Sequence, residues 1–419
     1  MPTSVHGDHS PAQTGPATAP IEGLLELHPD GYGFIRTFKV HFQVSPNDAY
    51  VPADVIRRLE LREGLKLTGE ASVPSADPYM NGYDQRGPQQ RGRGRDFRGR
   101  NNFRPQQRKP QGPRLVKLMS VEGKDPEAYK GAPIFDQLTP IDPRKWLNLE
   151  TNPDRMTTRV VDMFCPIGMG TRGLIVAPPR TGKTILIQHI ADAVADNHPN
   201  AELIVLLVDE RPEEVTEMRR TIRGSVYASS NDQETSSHVR VAELVMERAK
   251  RLAEQGRDVV VLLDSITRLA RAYNKHVGSG RTMTGGLDIR ALEIPKRMFG
   301  AARAFDEGGS LSILATALIE TGSKMDDVIF QEFKGTGNME LVLDRKLSDR
   351  RIYPAISIAQ SGTRKEERLL TPEMLERITL LRRSMLKLND IESMETLLKQ
   401  LTKHKTNKEF LATIGKFLS

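Results

Sequence analysis

The octet Ala177-Pro178-Pro179-Arg180-Thr181-Gly182-Lys183-Thr184 lies between an apolar run, Gly173 to Val176, and an apolar-periodic stretch that begins at Ile185. That order predicts a strand, a tight loop and a helix start. Backbone N–H groups of such a loop point at phosphate oxygens, an ammonium at the position of Lys183 neutralises them, and the Thr184 hydroxyl is suited to Mg2+. The pattern G-x-x-x-x-G-K-[ST] is met except at its first position, where Ala177 replaces glycine. Read alone, the octet is also compatible with an ordinary strand-to-helix turn carrying a solvated lysine.

Two further strand-like runs end in acids. Leu203 to Val208 is followed by Asp209 and Glu210, and Val259 to Leu263 is followed by Asp264. Short apolar runs flanked by helical patterns predict strands of a parallel sheet buried on both faces. Ligands of such sheets gather at the carboxyl ends of the strands. Asp264 therefore falls where a phosphate-loop ATPase keeps its second Mg2+-associated carboxylate, and Glu210 where a base orients the attacking water. A helix N-cap or a solvated strand end is the plainer reading of either acid.

The chain that must position these groups has 419 residues, above the roughly 250–300 at which single cores split, so at least two domains are expected. No apolar run reaches the roughly 18 residues of a membrane span, and Met1 to Pro20 holds no apolar signal segment, so a cytoplasmic protein is expected. Cys165 is the single cysteine, which excludes an intrachain disulfide and a thiolate-rich metal site; in Val161 to Pro166 it reads as a small buried hydrophobe. The nine histidines are scattered without ligand spacing. Of the net charge of +7, the stretch Arg86 to Arg114 holds ten Lys or Arg against one acid, Asp96, and leaves the remainder close to neutral.

Residues 1–20 are rich in Pro, Ala, Ser and Thr and are expected to form a disordered tail. A β module is expected over 21–120. In Gly31 to Arg36, Tyr32 and Phe34 are spaced by two, which puts both rings on one sheet face where they can stack on unpaired bases. This run is similar to the RNA-binding signature of cold-shock and other small β-barrel domains, with Asp30 in place of a basic residue and Thr37 in place of the last aromatic. Residues 75–113, Gly- and Arg-rich, interrupt the module as a disordered insertion whose charge favours a polyanionic partner. A Pro-rich linker over 121–157 and an αβ region over 158–419 complete the expected layout, with helices at Val239 to Leu252 and after Thr371-Pro372.

The stretches Gly173 to Pro179, Asp209 to Glu217, Leu263 to Arg268, Thr284 to Gly286, Thr321 to Lys324, Phe333 to Gly337 and Ser361 to Glu366 resemble the motifs of the bacterial transcription termination factor Rho family, ring-shaped ATP-dependent RNA helicases. The resemblance covers about residues 21–74 and 115–419, and Ala177 in place of glycine is usual in that family. It implies an α/β fold: a RecA-like P-loop ATPase domain with a mostly parallel sheet, preceded by a small OB-fold (cold-shock-like) β-barrel domain. It also implies ATP and Mg2+ as cofactors, single-stranded nascent RNA and the RNA polymerase elongation complex as partners, and a homohexamer.

Carried over by position, the resemblance makes Glu210 the water-activating base, Lys183 and Thr184 the phosphate and Mg2+ ligands, and Asp264 the metal carboxylate. Pro179, Arg180, Thr181, Gly182 and Ile185 belong to the nucleotide loop, with Arg211 beside Glu210. Arg364 would be an arginine finger for the neighbouring subunit's nucleotide, with Arg268 and Arg351 near that interface. Tyr32, Phe34, Arg36 and Tyr50 match the family's RNA-binding module, while Arg281 and Thr282 fall in a first RNA-gripping loop and Lys324 in a second. The insertion interrupts the strand region that reads cytosine in the family, and the resemblance there stops short of a base preference. Two other readings stay open: another hexameric ATPase of the same broad fold, such as a recombinase or rotary synthase subunit, and a non-enzymatic RNA-binding protein with an inert nucleotide fold.

Overall fold

The computed structural model describes residues 17–38, 42–73, 112–277 and 284–414. The chain divides into two compact units, one reaching Lys130 and one running from Gly131, with the short segments 41–43 and 63–65 counted in the second.

In the first unit, β1 (Thr18–Leu27), β2 (Gly33–Arg36), β3 (Ala49–Val51), α1 (Ala53–Arg58), β4 (Lys66–Ser72) and β5 (Leu115–Val121) follow one another. The strands form an antiparallel sheet in the order β3-β2-β1-β4-β5. A bridge between Tyr50 and Arg114 brings the outer strands together, so the sheet curls into a small barrel. Leu25, Ile35, Val51, Leu67 and Val121 are buried on its inner face. The β1–β2 turn needs a positive φ, and Gly31 supplies it at +86°; this turn sets the register that faces Leu25 with Ile35. β1 begins at Thr18, paired with Ser72, so residues 18–20 belong to the sheet and not to the expected tail. Residues 1–16 of that tail, and 75–111 of the expected insertion, lie outside the described residues.

The second unit contains β6 (Pro140–Ile141), α2 (Met156–Phe164), β7 (Arg172–Ala177), α3 (Lys183–Asn197), β8 (Glu202–Glu210), α4 (Pro212–Thr221), β9 (Ser225–Ser230), α5 (Thr235–Glu254), β10 (Asp258–Asp264) and α6 (Ile266–Val277). It continues with α7 (Glu293–Gly300), β11 (Arg303–Phe305), β12 (Ser310–Leu318), α8 (Lys324–Phe333), β13 (Met339–Val342), α9 (Arg345–Asp349), β14 (Gly362–Thr363), α10 (Pro372–Met385), α11 (Asp390–Leu401) and α12 (Asn407–Ala412). The main sheet runs β14-β13-β7-β12-β10-β8-β9, and the neighbours from β13 to β9 are parallel. Parallel register brings Ala177, Asp264 and Glu210 to one edge of the sheet. Ile175, Val205, Leu207, Val260 and Leu262 join the core with Leu186, Ile187 and Ile190 of α3. Ile204, Leu206 and Val208 are buried on the opposite face, where α5 and α6 pack. Thr371 caps α10 as expected, accepting from the Met374 N–H at 3.3 Å with Pro372 in the first turn.

The segment expected as a linker over 121–157 is structured. Tyr129 is buried in the first unit, and Phe135, Leu147 and Leu149 are buried in the second. Asp162 satisfies the segment's backbone by accepting from the N–H groups of Leu149 at 3.0 and 2.9 Å and Glu150 at 2.7 Å. These contacts fix the path of the Pro-rich segment. Arg159, with no exposed surface, donates at 3.1 Å each to the carbonyls of Pro153 and Leu401 and to Asn407 Oδ1, and lies 3.4 Å from Glu150. It thus ties this segment to α2, α11 and α12. Arg159→Ala leaves those buried acceptors bare and is expected to destabilise the second unit by about 3–5 kcal/mol. An unchanged denaturant midpoint would show that the tie contributes nothing.

Burial pushes the Cys165 thiol up to about 12, which suits the expected small core residue and not a nucleophile. Among the described residues no helix is long and apolar enough to cross a membrane.

Candidate active site and nucleic-acid interface

β7 delivers the chain at Ala177 into a loop whose turns need left-handed backbone, with φ of +66° at Arg180 and +86° at Gly182. Any side chain is strained at Gly182, and an added Cβ would also sit 3.5 Å from the Tyr353 ring. Thr181 Oγ1 donates to the Pro178 carbonyl at 2.8 Å and closes the loop from inside. Pro179 and Arg180 are exposed, and α3 starts at Lys183, so its first N–H groups and the partial positive charge of the helix end face the loop's concavity.

The Lys183 ammonium lies 3.2 Å from Glu210 Oε1 and also bonds Asp264 Oδ1. Asp264 Oδ1 accepts in addition from Thr316 Oγ1 at 2.7 Å. Arg268 Nη1 lies 3.1 Å from Glu210 Oε2 and donates to the Asp209 carbonyl. Asp264 and Glu210 are 2% and 3% exposed, so these charges interact with little water between them. Burial, and then the Asp264 charge, push the Glu210 carboxyl up to about 7 against the pull of Lys183 and Arg268. Burial opposes the Lys183 charge, but Asp264 and Glu210 more than compensate and hold the ammonium above its ordinary value. A buried carboxylate poised near neutrality beside a fixed cation suits a base that orients water at a phosphate.

Thr184 is half-buried in the first turn of α3, beside the cluster. The site's oxygen donors suit a hard cation such as Mg2+, which takes one or two protein oxygens and completes its shell from phosphates and water. No group of three or more His, Cys, Asp or Glu that could hold an ion exists among the described residues.

The sequence did not disclose a cavity of 340 Å³ beside the phosphate loop, lined by Met156, Thr157, Gly182, Ile185, His189 and Tyr353 among others. Ile185 and Tyr353 are 55% and 44% exposed, an apolar surface open for a flat ring. Met156 opens α2 and Tyr353 follows α9, so only folding joins them. Ile185 was the one lining residue that the motif pointed to outside the loop itself.

Arg211 is exposed at the start of α4, directly after Glu210. Arg351 is exposed with φ of +62°, two residues before Tyr353. Arg364 does not join the Lys183 cluster. It stands exposed after β14, its N–H donating to the Asn338 carbonyl at 2.7 Å, and lines a separate cavity of 300 Å³ with Leu174, Phe333 and Ser361. The following residue, Lys365, reaches Asp142 at 2.9 Å, and Arg368 binds the same carboxylate.

Lys324 is exposed at the first residue of α8. Thr284 to Gly286, the end of the other expected RNA-gripping loop, packs against it: a Cβ on Gly285 would meet the Lys324 carbonyl oxygen at 3.2 Å. Arg281 and Thr282 lie outside the described residues. α6 touches the active site and both loops from one face. Arg268 contacts Glu210, Arg271 grips Asp326 at 2.6 and 2.7 Å, and Asn274 donates to the Gly286 carbonyl at 3.0 Å.

In the first unit, Tyr32, Phe34 and Tyr50 form one aromatic patch. Ring centroids lie 5.3 Å apart for Tyr32 and Tyr50, 5.7 Å for Tyr32 and Phe34, and 6.1 Å for Phe34 and Tyr50. His28 stacks on Tyr32 at 4.3 Å, and Arg114 reaches the Tyr50 ring at 6.0 Å. Arg36, expected among the RNA-binding residues, lies against this patch. It is 7% exposed, bonds Asp48 at 2.5 Å and Glu26, and lies 4.9 Å from the Phe34 centroid, so it supports the patch from beneath.

Residues 21–127 match the family model described as Rho termination factor, RNA-binding domain, and residues 157–363 match that of the ATP synthase alpha/beta family, nucleotide-binding domain. Proteins named transcription termination factor Rho align along nearly the whole chain. That of Aquifex aeolicus is 48% identical over 400 residues, 94% of this chain and 84% of its own; that of Bacillus subtilis is 47% identical over 392 residues, 93% and 83%. That of Streptomyces lividans is 49% identical over 398 residues, 95% of this chain but 52% of its own. Among solved structures, a prototypical ATPase from the type III secretion system of pathogenic bacteria aligns with a TM-score of 0.57 at 19% identity, over 72% of this chain and 91% of that one, which supports the fold alone. With its RNA-binding barrel and its ATPase domain, this chain belongs to the transcription termination factor Rho family.

Proposed function

We propose that this chain is the subunit of a homohexameric motor that captures single-stranded nascent RNA on its barrels and hydrolyses ATP to translocate toward the RNA 3′ end. Arrival at the RNA polymerase elongation complex would then release the transcript, in the cytoplasm. The observation that carries this reading is the convergence of Lys183, Glu210 and Asp264 at the sheet edge beside the apolar cavity.

The nucleobase would enter the cavity between Met156, Ile185 and Tyr353, and the phosphates would settle on the loop Pro179 to Thr184. Lys183 neutralises the β- and γ-phosphates as they displace it from the carboxylates. Thr184 and Asp264 would hold Mg2+, which supplies charge neutralisation at the phosphates when bound. Glu210, oriented by Arg268, accepts a proton from water aligned with the γ-phosphate. Arg211, Arg268 and Arg351 would line the seam with the neighbouring subunit, whose Arg364 would complete the site. Tyr32, Phe34 and Tyr50 would stack on bases, and Arg281, Thr282 and Lys324 would grip the strand in the channel.

A rotary or recombinase-type ring is less well supported, because an aromatic barrel that stacks bases has no task there. An inert nucleotide fold is opposed by the buried charges of Glu210 and Asp264, which would be costly to keep without use. Unstructured RNA is expected to accelerate ATP turnover, and Phe34→Ala to weaken RNA binding by about 1–3 kcal/mol. Turnover equal with and without RNA would end the motor reading, and unaltered RNA affinity in Phe34→Ala would end the stacking role.

A further inference from the structure

The side chains of β8 alternate. Leu203, Val205 and Leu207 belong to the core on the α3 side, whereas Ile204, Leu206 and Val208 lie on the face of α5 and α6. Continued without interruption, the period of two would send Asp209 toward Lys183 and turn Glu210 toward α5 and α6. The protein does the reverse. Glu210 meets Lys183, and Asp209 faces α5, its Oδ1 3.9 Å from His238 Nε2.

One extra residue makes the exchange. Pairing with β9 runs from Val208 opposite Ser229 to Glu210 opposite Ser230, so Asp209 has no partner, and its φ is +58°. This is a bulge, which re-aims every residue after it. Contacts from three elements hold it. Arg268 on α6 donates to the Asp209 carbonyl, and the Asn231 N–H donates to the Glu210 carbonyl at 3.0 Å. From α5, buried His238 sets Nδ1 2.7 Å from Ser229 Oγ, on the residue facing Val208, while its other nitrogen faces Asp209. Ser229 is held in turn at 3.0 Å from Gln233 Oε1.

We propose that the Asp209 bulge, pinned by His238, selects which of the two adjacent acids faces the phosphate loop, and that His238 is a positioning residue for ATP hydrolysis. The inference rests on Glu210 as the water-orienting base. The left-handed backbone at Asp209, more than its carboxylate, does the selecting: aspartate tolerates that conformation, glycine adopts it freely, and a β-branched residue resists it and favours a regular strand.

The test measures steady-state RNA-stimulated ATP hydrolysis of the full chain, the affinity for a fluorescent ATP analogue, and the crystal structure of Asp209→Val. Asp209→Val is expected to lose about 100-fold in kcat while nucleotide affinity stays within about threefold, since ground-state binding is untouched. Asp209→Gly is expected to stay within about tenfold of the starting protein. His238→Leu is expected to lose about tenfold, and His238→Gln, which can still reach Ser229, to recover most of it. Adding Asp209→Val to Glu210→Gln should cost nothing further. Glycine as damaging as valine, an additive double variant, or a crystal structure of Asp209→Val with Glu210 still against Lys183 would each overturn the proposal. Full turnover in Glu210→Gln would instead sink the base assignment, and the crystal structure would still decide the bulge.

Discussion

Glu210→Gln is expected to lower RNA-stimulated ATP turnover by about 100- to 10,000-fold, the range of a positioned general base, while nucleotide still binds. Glutamine keeps the volume and its single amide oxygen can still accept from Lys183 or Arg268, but it cannot accept the water's proton. The buried carboxyl is pushed up to about 7, first by desolvation and then by Asp264, so the sign of the pH dependence follows. Below about pH 7 the nucleotide-free site is protonated and idle, and kcat/KM should rise as pH climbs through that value. Residual turnover of Glu210→Gln should lack this step. A profile of the unaltered protein that is flat from about pH 6 to 8 would remove Glu210 from the base role, since kcat/KM reports the ionisation of the free enzyme.

The same shift acts on stability in the opposite direction. A carboxyl that holds its proton to about 7 when folded, against an ordinary value of 4.5, favours the folded state at low pH and loses that contribution as pH rises across this window. The site is thus strained toward reactivity when empty, and Lys183 limits the strain by bonding both acids. Phosphates that draw Lys183 away would change the balance at the moment the nucleotide arrives.

Arg364→Ala is expected to cost about 10³–10⁵ in turnover, the usual worth of a guanidinium at a transferring phosphoryl group. Its placement motivates a supply in trans: Arg364 is exposed at the sheet edge, away from Lys183, with its backbone held by Asn338 and the next residue anchored on Asp142. Mixing two inactive proteins tests this directly. In rings assembled from Arg364→Ala and Glu210→Gln subunits, some junctions combine an intact Glu210 with an intact neighbouring Arg364, and turnover should return. Mixed rings as inactive as either parent would refute a finger supplied by the neighbour.

Much of the site was legible because it rests on local rules. The phosphate loop needs a left-handed glycine, a lysine at a helix start and a preceding strand, all encoded within a dozen residues. Asp264 could be placed because a parallel sheet lines up its strand ends. Tyr32 and Phe34 could be put on one face because strands alternate, and Tyr50 on the neighbouring strand joined them. The position of Arg36 beside the aromatics was readable for the same reason, but not that Asp48 and Glu26 would hold it there. Met156 and Tyr353 were invisible, since each is an ordinary residue until folding sets them across a cavity from Ile185. The packing of Leu147 and Leu149 in the linker was not legible, because two leucines are too few to register as periodic, yet each finds a place in a large core.

By itself the sequence determined the chemistry present: a phosphate-cradling loop, two acids after apolar strands, and paired aromatics in a β module. Backbone stereochemistry and side-chain alternation are properties of a few neighbouring residues and can be read there. The sequence had pointed to Glu210, but only the tertiary structure showed how it comes to face Lys183. Alternation pointed Asp209 at Lys183, and a bulge held by His238 and Arg268, which belong to helices on the far face of the sheet, gave that place to Glu210. A bulge is stabilised by contacts distant in sequence, so which acid faces Lys183 is set by packing.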